Sequence, residues 1–195
     1  MKYAQRLLEC LSLKHIDHRA EMLKEASLKD AHIYCKVNHL SGQISGTLVE
    51  MYIQMKFAMT KNKATACSGD LCSDSQNIEV KISLGGVGHD KFNYVQLRMN
   101  HDVDYYLLTA YYLSLENVGT CGELFVFKVN KQDIKAFILN YGSYAHGSVK
   151  NFGKITTAQL DETPNDREYY MRPKYNSKLW TELVKHRTRE FDEFF

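Results

Sequence analysis

Two carboxylates and a lysine stand out by type and spacing: Asp70, then eight residues, then Glu79-Val80-Lys81. In Ile78-Glu79-Val80-Lys81-Ile82-Ser83 the branched residues alternate strictly with polar ones, which predicts a strand with Glu79 and Lys81 side by side on its polar face. The preceding Ala66–Leu71 reads as its hairpin partner and Ser73–Asn77 as the turn, so Asp70 returns beside them. Two converging carboxylates are costly unless a cation sits between them. Oxygen ligands from Asp and Glu, a backbone carbonyl and waters suit Mg²⁺. A lysine alongside can position or deprotonate a water while the metal polarises a phosphoryl oxygen. These are the ingredients of metal-assisted phosphodiester hydrolysis.

The elements that must hold this set follow from periodicity. Helical spacing covers 2–13, 17–29 and 41–59, the last with Ile44, Leu48, Met51, Tyr52, Met55 and Met59 on one stripe. Thr47, Glu50 and Gln54 interrupt that helix on another side, beside Ile53 and Phe57, which marks it as central. Glu50 there is either an active-site acid or a core carboxylate satisfied by Thr47 and Gln54. Phe92–Met99, Tyr105–Leu113 and Leu124–Val129 read as further strands, 130–140 as a helix capped by Asn130, 141–175 as irregular and 176–190 as a closing helix. The order predicts one α/β (α+β) domain over 1–195, a central mixed sheet flanked by helices.

Asp70…Glu79-Val80-Lys81 resembles the motif of the PD-(D/E)XK nuclease superfamily, and the helix bearing Glu50 resembles that family's first core helix. The resemblance implies a restriction-endonuclease-like core over about 41–140, with N-terminal helices at 1–40 and a DNA-contact or dimerisation segment at 141–195. It further implies that Asp70 and Glu79 carry Mg²⁺ (Mn²⁺ as substitute) with the carbonyl of Val80, that Lys81 serves the attacking water, and that Glu50 adds an acid. The implied activity is hydrolysis of double-stranded DNA by a homodimer, in the manner of a type II restriction endonuclease. Resolvases, nicking and repair nucleases share that core, and a non-catalytic DNA-binding protein is the reading from another class. The chain departs from the pattern at Gly69, where the motif has proline.

Competing candidates are weaker. Asp74, five residues before Glu79, falls at the hairpin tip, which favours Asp70 as the first ligand. Asp133-Ile134-Lys135 repeats the acid-x-Lys spacing in a helical context, where two residues turn by about 200° and the side chains diverge. His15 and His18 read as a solvated helical face, and Cys67-x4-Cys72 lacks a second pair for zinc. Leu84-Gly85-Gly86-Val87-Gly88-His89 lacks a P-loop's Lys-Ser/Thr and is expected as a flexible loop touching substrate. Asp102 and Asp104 read as a polar strand end.

The total charge of +2 excludes little. Residues 167–189, however, carry seven Lys and Arg against two Glu, a local +5 that leaves −3 for the remainder. With Tyr169, Tyr170 and Tyr175 interleaved, this segment suits phosphate contact, and Arg172, Lys174 and Lys178 are its candidates. Tyr144, His146 and Lys150, in the turn-like stretch 140–151, are candidates for a base-reading or backbone-clasping loop. An odd five cysteines, with no apolar run long enough for a signal or a membrane span, points to a reducing, intracellular (cytoplasmic) setting and no membrane partner.

Overall fold

The computed structural model describes residues 26–63, 67–74, 76–86, 88–146, 149–162 and 167–191. The helix expected over 2–13 and nearly all of that over 17–29 lie outside these residues, as do His15 and His18.

The first described helix, α1 (Leu28–Val37), starts at Ser27, whose hydroxyl accepts from the Asp30 amide while Asp30 answers the Ser27 amide. Leu28, Ala31, His32 and Cys35 form its buried face. Helix α2 (Gly42–Lys56) is capped by Ser41 and buries Ser45, Leu48, Val49, Tyr52 and Ile53. The inward face is therefore rotated from the expected stripe: Ile44 is 56% exposed. The rotation turns Gly42, Gln43, Gly46, Thr47 and Glu50 toward an open cleft.

The central sheet has the order β1 (Thr60–Lys61), β2 (Leu71–Ser73), β3 (Gln76–Gly86), β5 (Tyr105–Leu113), β6 (Glu123–Asn130). Only β3 and β5 pair in parallel, in register from Ile78↔Tyr105 to Gly86↔Leu113; the sheet is therefore mixed, flanked by helices. The period-2 alternation of β5 sorts the core into two layers. Tyr105, Leu107 and Tyr111 pack under α1 and α2 with Ile78 and Val80, whereas Tyr106, Leu108 and Ala110 pack on the other side.

That other side corrects the expectation of one sheet. Residues 92–99 leave the central sheet, and β4 (Tyr94–Arg98) joins β8 (Glu168–Met171) and β7 (Ser143–Tyr144) in a second one, ordered β4-β8-β7. The stretch 141–175, expected to be irregular, supplies β7, β8 and the short helices α4 (Val149–Phe152) and α5 (Thr157–Asp161). Helix α3 (Lys131–Tyr141) is capped by Asn130 as expected. Helix α6 (Lys178–Val184) is pinned by Trp180, which stacks on Phe92 and meets Phe125 and Phe127 edge-on. Each such aromatic pair adds about 0.5–1.5 kcal/mol beyond its area burial. Among the described residues no helix is long and apolar enough to cross a membrane.

Candidate active site

The site is built on the mismatch between a short strand and a long one. β2 pairs with β3 only from Leu71↔Ile78 to Ser73↔Gln76, with Asp74 at the exposed tip in a left-handed conformation (φ 47°). The Asp70 amide extends the ladder by one bond, donating to the Ile78 carbonyl at 2.8 Å. Beyond that point β2 has ended, and the Asp70 carboxylate takes its place: Oδ2 accepts from the Val80 amide at 2.8 Å. Along a strand the main-chain groups of residues i and i+2 point to the same side, so the Val80 carbonyl faces the side that β2 has vacated.

Gly69 explains the departure from the motif. It sits at φ +72°, and a Cβ there would lie 2.6 Å from the Ile78 carbonyl oxygen. A proline, fixed near φ −65°, cannot adopt that backbone. The tight approach of Gly69 to β3 is what swings Asp70 onto the strand.

Glu79 and Lys81 emerge together on the face toward the second sheet, with Lys81 Nζ 2.5 Å from Glu79 Oε1. Glu79 is 6% exposed and registers with Tyr106 of β5, whose phenol is pushed upward by burial and then by the Glu79 charge. From the other side of the sheet edge α2 contributes Glu50, whose Oε2 lies 3.8 Å from Lys61 Nζ. Burial raises the Glu50 carboxyl above its ordinary range, and the Asp70 and Glu79 charges raise it further against the pull of Lys61 and Lys81. Asp70 is likewise raised by burial first and by Glu79 second. Glu50 and Asp70 therefore share a region that disfavours their ionisation.

Asp70, Glu79, Val80, Lys81 and Glu50 all line one cleft of about 730 Å³. Its other walls are Gly42, Gln43, Gly46 and Thr47 of α2; Lys61, Asn62 and Lys63; and Asn93, Tyr94, Val95, Gln96, Arg98 and His101. β4 reaches it through a bulge: register shifts between Tyr94↔Met171 and Leu97↔Tyr169, with Gln96 at φ 56°.

Donor chemistry fits a hard divalent cation: carboxylate oxygens and a main-chain carbonyl, gathered where negative charges repel one another. Among the described residues, no group of three or more His, Cys, Asp or Glu side chains is placed to hold a metal ion. As they stand, Asp70 Oδ2 is engaged by the Val80 amide and Glu79 Oε1 by Lys81.

Other candidates separate from the cleft. Tyr144 is 3% exposed, packed against Phe152 and Tyr169, so it belongs to the core and not to the cleft surface. His146 is exposed and reaches Glu168 Oε2 at 3.2 Å; the Lys150 side chain lies outside the described set. Arg172 covers the Tyr170 ring and donates to Asn93 Oδ1 at 3.1 Å, Lys174 pairs with Asp90 at 3.1 Å, and Lys178 opens α6; none of the three lines the cleft. The +5 segment is not one basic face, because Arg167, Lys174, Lys185 and Arg187 each meet an acid: Glu162, Asp90, Glu182 and Glu123. The glycine-rich stretch is packing rather than a loop on the substrate: Gly85 abuts Phe92, and a Cβ on Gly86 would meet the Leu113 carbonyl oxygen at 2.1 Å. Asp133 serves the Asn130 cap and Lys135 pairs with Asp161, apart from the site. Asp104 and Asp102 fasten Asn77 at the start of β3. Cys67 and Cys72 are free thiols.

The cleft residues that spacing missed are Lys61, Lys63, Arg98, His101, Asn93 and Gln96. One signal was present: apolar Phe92 and Tyr94 alternate, then skip to Leu97, a phase slip that marks the bulge and turns Gln96 outward. No protein-family model matches the chain, and no curated protein sequence matches it.

Proposed function

We propose that this protein is a Mg²⁺-dependent endonuclease of the PD-(D/E)XK type, with a restriction-endonuclease-like core, that hydrolyses phosphodiester bonds of double-stranded DNA. The observation that carries the reading is the convergence of Asp70, Glu79 and Lys81 in one cleft at the open side of β3, with Glu50 facing them. A solvated strand face with an incidental ion pair does not account for a 6% exposed glutamate beside two half-buried carboxyl groups, both raised by burial and like charge.

Asp70 and Glu79 would hold the metal with the Val80 carbonyl, and Glu50 would add an outer carboxylate. Bound there, the metal supplies Lewis-acid polarisation of the phosphoryl oxygen and stabilises the leaving oxygen. The remaining work falls to the chain. With Glu79 engaged by the cation, Lys81 Nζ would be free to hold a water in the cleft. Arg98, Lys61 and Lys63 attract the phosphate, and the α2 face with Gly42 and Gly46 leaves room for a backbone to approach. Cutting both strands of a duplex calls for two such sites, as a homodimer provides.

The test is incubation of purified protein with a large plasmid, with Mg²⁺ and with chelator. Discrete bands or a smear that appear only with Mg²⁺, and that vanish in Glu79→Gln and Asp70→Asn, support the reading. Intact DNA under Mg²⁺ and Mn²⁺, or cleavage by either variant at the wild-type rate, refutes it.

A further inference from the structure

Two histidines of the described chain are held in opposite ways. His32 has both ring nitrogens engaged, Nδ1 by the Leu28 carbonyl at 2.8 Å and Nε2 by Thr109 Oγ1 at 2.7 Å, and is a structural pin. His101 lines the cleft, yet its Nδ1 is buried with no hydrogen-bond partner. Its main chain, in contrast, is fastened: Lys131 Nζ donates to the His101 carbonyl at 2.5 Å, and Tyr106 OH donates to the Arg98 carbonyl at 3.0 Å. The main chain of 98–101 is thus tied at two carbonyls, while the imidazole Nδ1 has no partner.

Its neighbours are cations. Burial first, and then the Arg98, Lys81 and Lys131 charges, hold the imidazole toward its neutral form, with Asp70 opposing. Arg98 is itself aimed, because Nε and Nη2 both donate to Glu168 Oε1, at 2.8 and 2.5 Å. That fork leaves the far edge of the guanidinium unspent, and Arg98 also lines the cleft. A buried ring nitrogen without a partner is costly in the free protein, and a bound anion beside it removes that cost.

We infer that Arg98 and His101, which line the same cleft as Lys81 and the carboxylates, form a phosphate subsite that holds the polymer backbone independently of the metal. The inference rests on the nuclease reading for the identity of the polymer. Arg98 supplies a fixed charge-assisted contact. His101 turns its free nitrogen onto a phosphate oxygen. Glu168 keeps the guanidinium in place, and His146 shares that carboxylate at its outer oxygen.

The experiment is fluorescence anisotropy of a short labelled duplex DNA with wild type, Arg98→Ala, Arg98→Lys, His101→Ala and His101→Gln, in chelator, over a series of salt concentrations. Arg98→Ala is expected to weaken binding about tenfold and to lower the salt slope by about one. Arg98→Lys should keep the slope while losing part of the affinity. His101→Ala should weaken binding several-fold, with His101→Gln, which keeps a donor, partly restored. In wild-type protein the His101 imidazole resonance should move when the duplex is added, a readout that no variant's folding can confound. Unchanged binding in both alanine variants, or an unmoved His101 resonance at saturating duplex, overturns the subsite. The two readings fail separately. Loss of duplex binding in these variants with no cleavage by wild type leaves the subsite and removes the nuclease; cleavage by wild type with unaltered binding in the variants does the reverse.

Discussion

Replacing Gly69 by alanine tests how the site is assembled. At φ +72° a residue with a Cβ is strained by about 1–2 kcal/mol. The new methyl would also sit 2.6 Å from the Ile78 carbonyl oxygen and 2.8 Å from its carbon, both main-chain atoms of a central strand that cannot swing aside. Overpacking of that kind adds about 1–3 kcal/mol, and the stiffer unfolded chain returns about 0.4–1 kcal/mol. The net loss is about 1–5 kcal/mol, which for a chain of this size lowers Tm on the order of 10 °C. Activity should fall further than stability does. The clash lies one residue from Asp70, and an ångström of displacement of a metal ligand costs on the order of 10²-fold. Thermal unfolding by circular dichroism and plasmid cleavage well below the melting point separate the two effects. An alanine variant that melts within about 2 °C of wild type refutes the steric account of Gly69, and full activity refutes its role in placing Asp70.

Other outcomes follow from named groups. Because burial and neighbouring charges raise the Glu50 and Asp70 carboxyls in the folded state, the contribution of these two groups to metal-free stability is greatest below the ordinary carboxylate range and declines as pH rises through the raised values. Glu50→Gln should therefore melt higher than wild type at pH 8 in chelator, and Mg²⁺ should stabilise wild type more at pH 8 than at pH 5; a lower-melting variant contradicts the electrostatic reading. His32 runs the other way. Its imidazole is pushed down from 6.5 to about 4 by burial, so stability present above pH 6.5 drains as pH falls toward 4, by about 3 kcal/mol in all. His32→Gln should flatten that stretch of the Tm–pH curve, and an unaltered slope would mean other groups control it. Lys81→Ala should cost at least about 10²-fold in cleavage with duplex binding weakened far less; an unchanged rate removes Lys81 from water activation.

The strand bearing Glu79 and Lys81 and the helix over 42–56 were legible because each rests on a local period, 2 or 3.6. The Asn130 and Ser41 caps declare themselves by residue type alone. What local pattern cannot state is which strand pairs with which. Residues 94–98 look like any buried strand, yet they pair with 168–171 across some seventy positions and so build a second sheet over the site. The same remoteness hid Arg98 and His101, whose chemistry depends on lying opposite a hairpin formed thirty residues earlier. Charge counting failed for a related reason. The cations of 167–189 look concentrated along the chain, but Asp90 and Glu123 come from elsewhere to answer Lys174 and Arg187. Tyr144 misled through composition: a tyrosine among turn formers marked a place where that stretch re-enters the core.

The Asp70–Val80 contact has a meaning apart from catalysis. Where β2 stops, β3 runs on for several residues with no described strand beside it on that flank. An exposed strand edge of this kind recruits other chains, and proteins blunt it with charge. Here the blunting agent is the carboxylate nominated as first metal ligand, which caps the first unpaired amide with a group that repels a second carboxylate-bearing edge. Engagement of Asp70 by a cation would loosen that cap at the moment the cleft fills with substrate. Guarding against unwanted strand addition and the proposed coordination of metal would thus fall to one side chain, and a variant that removes it would expose a sticky edge as well as an empty site.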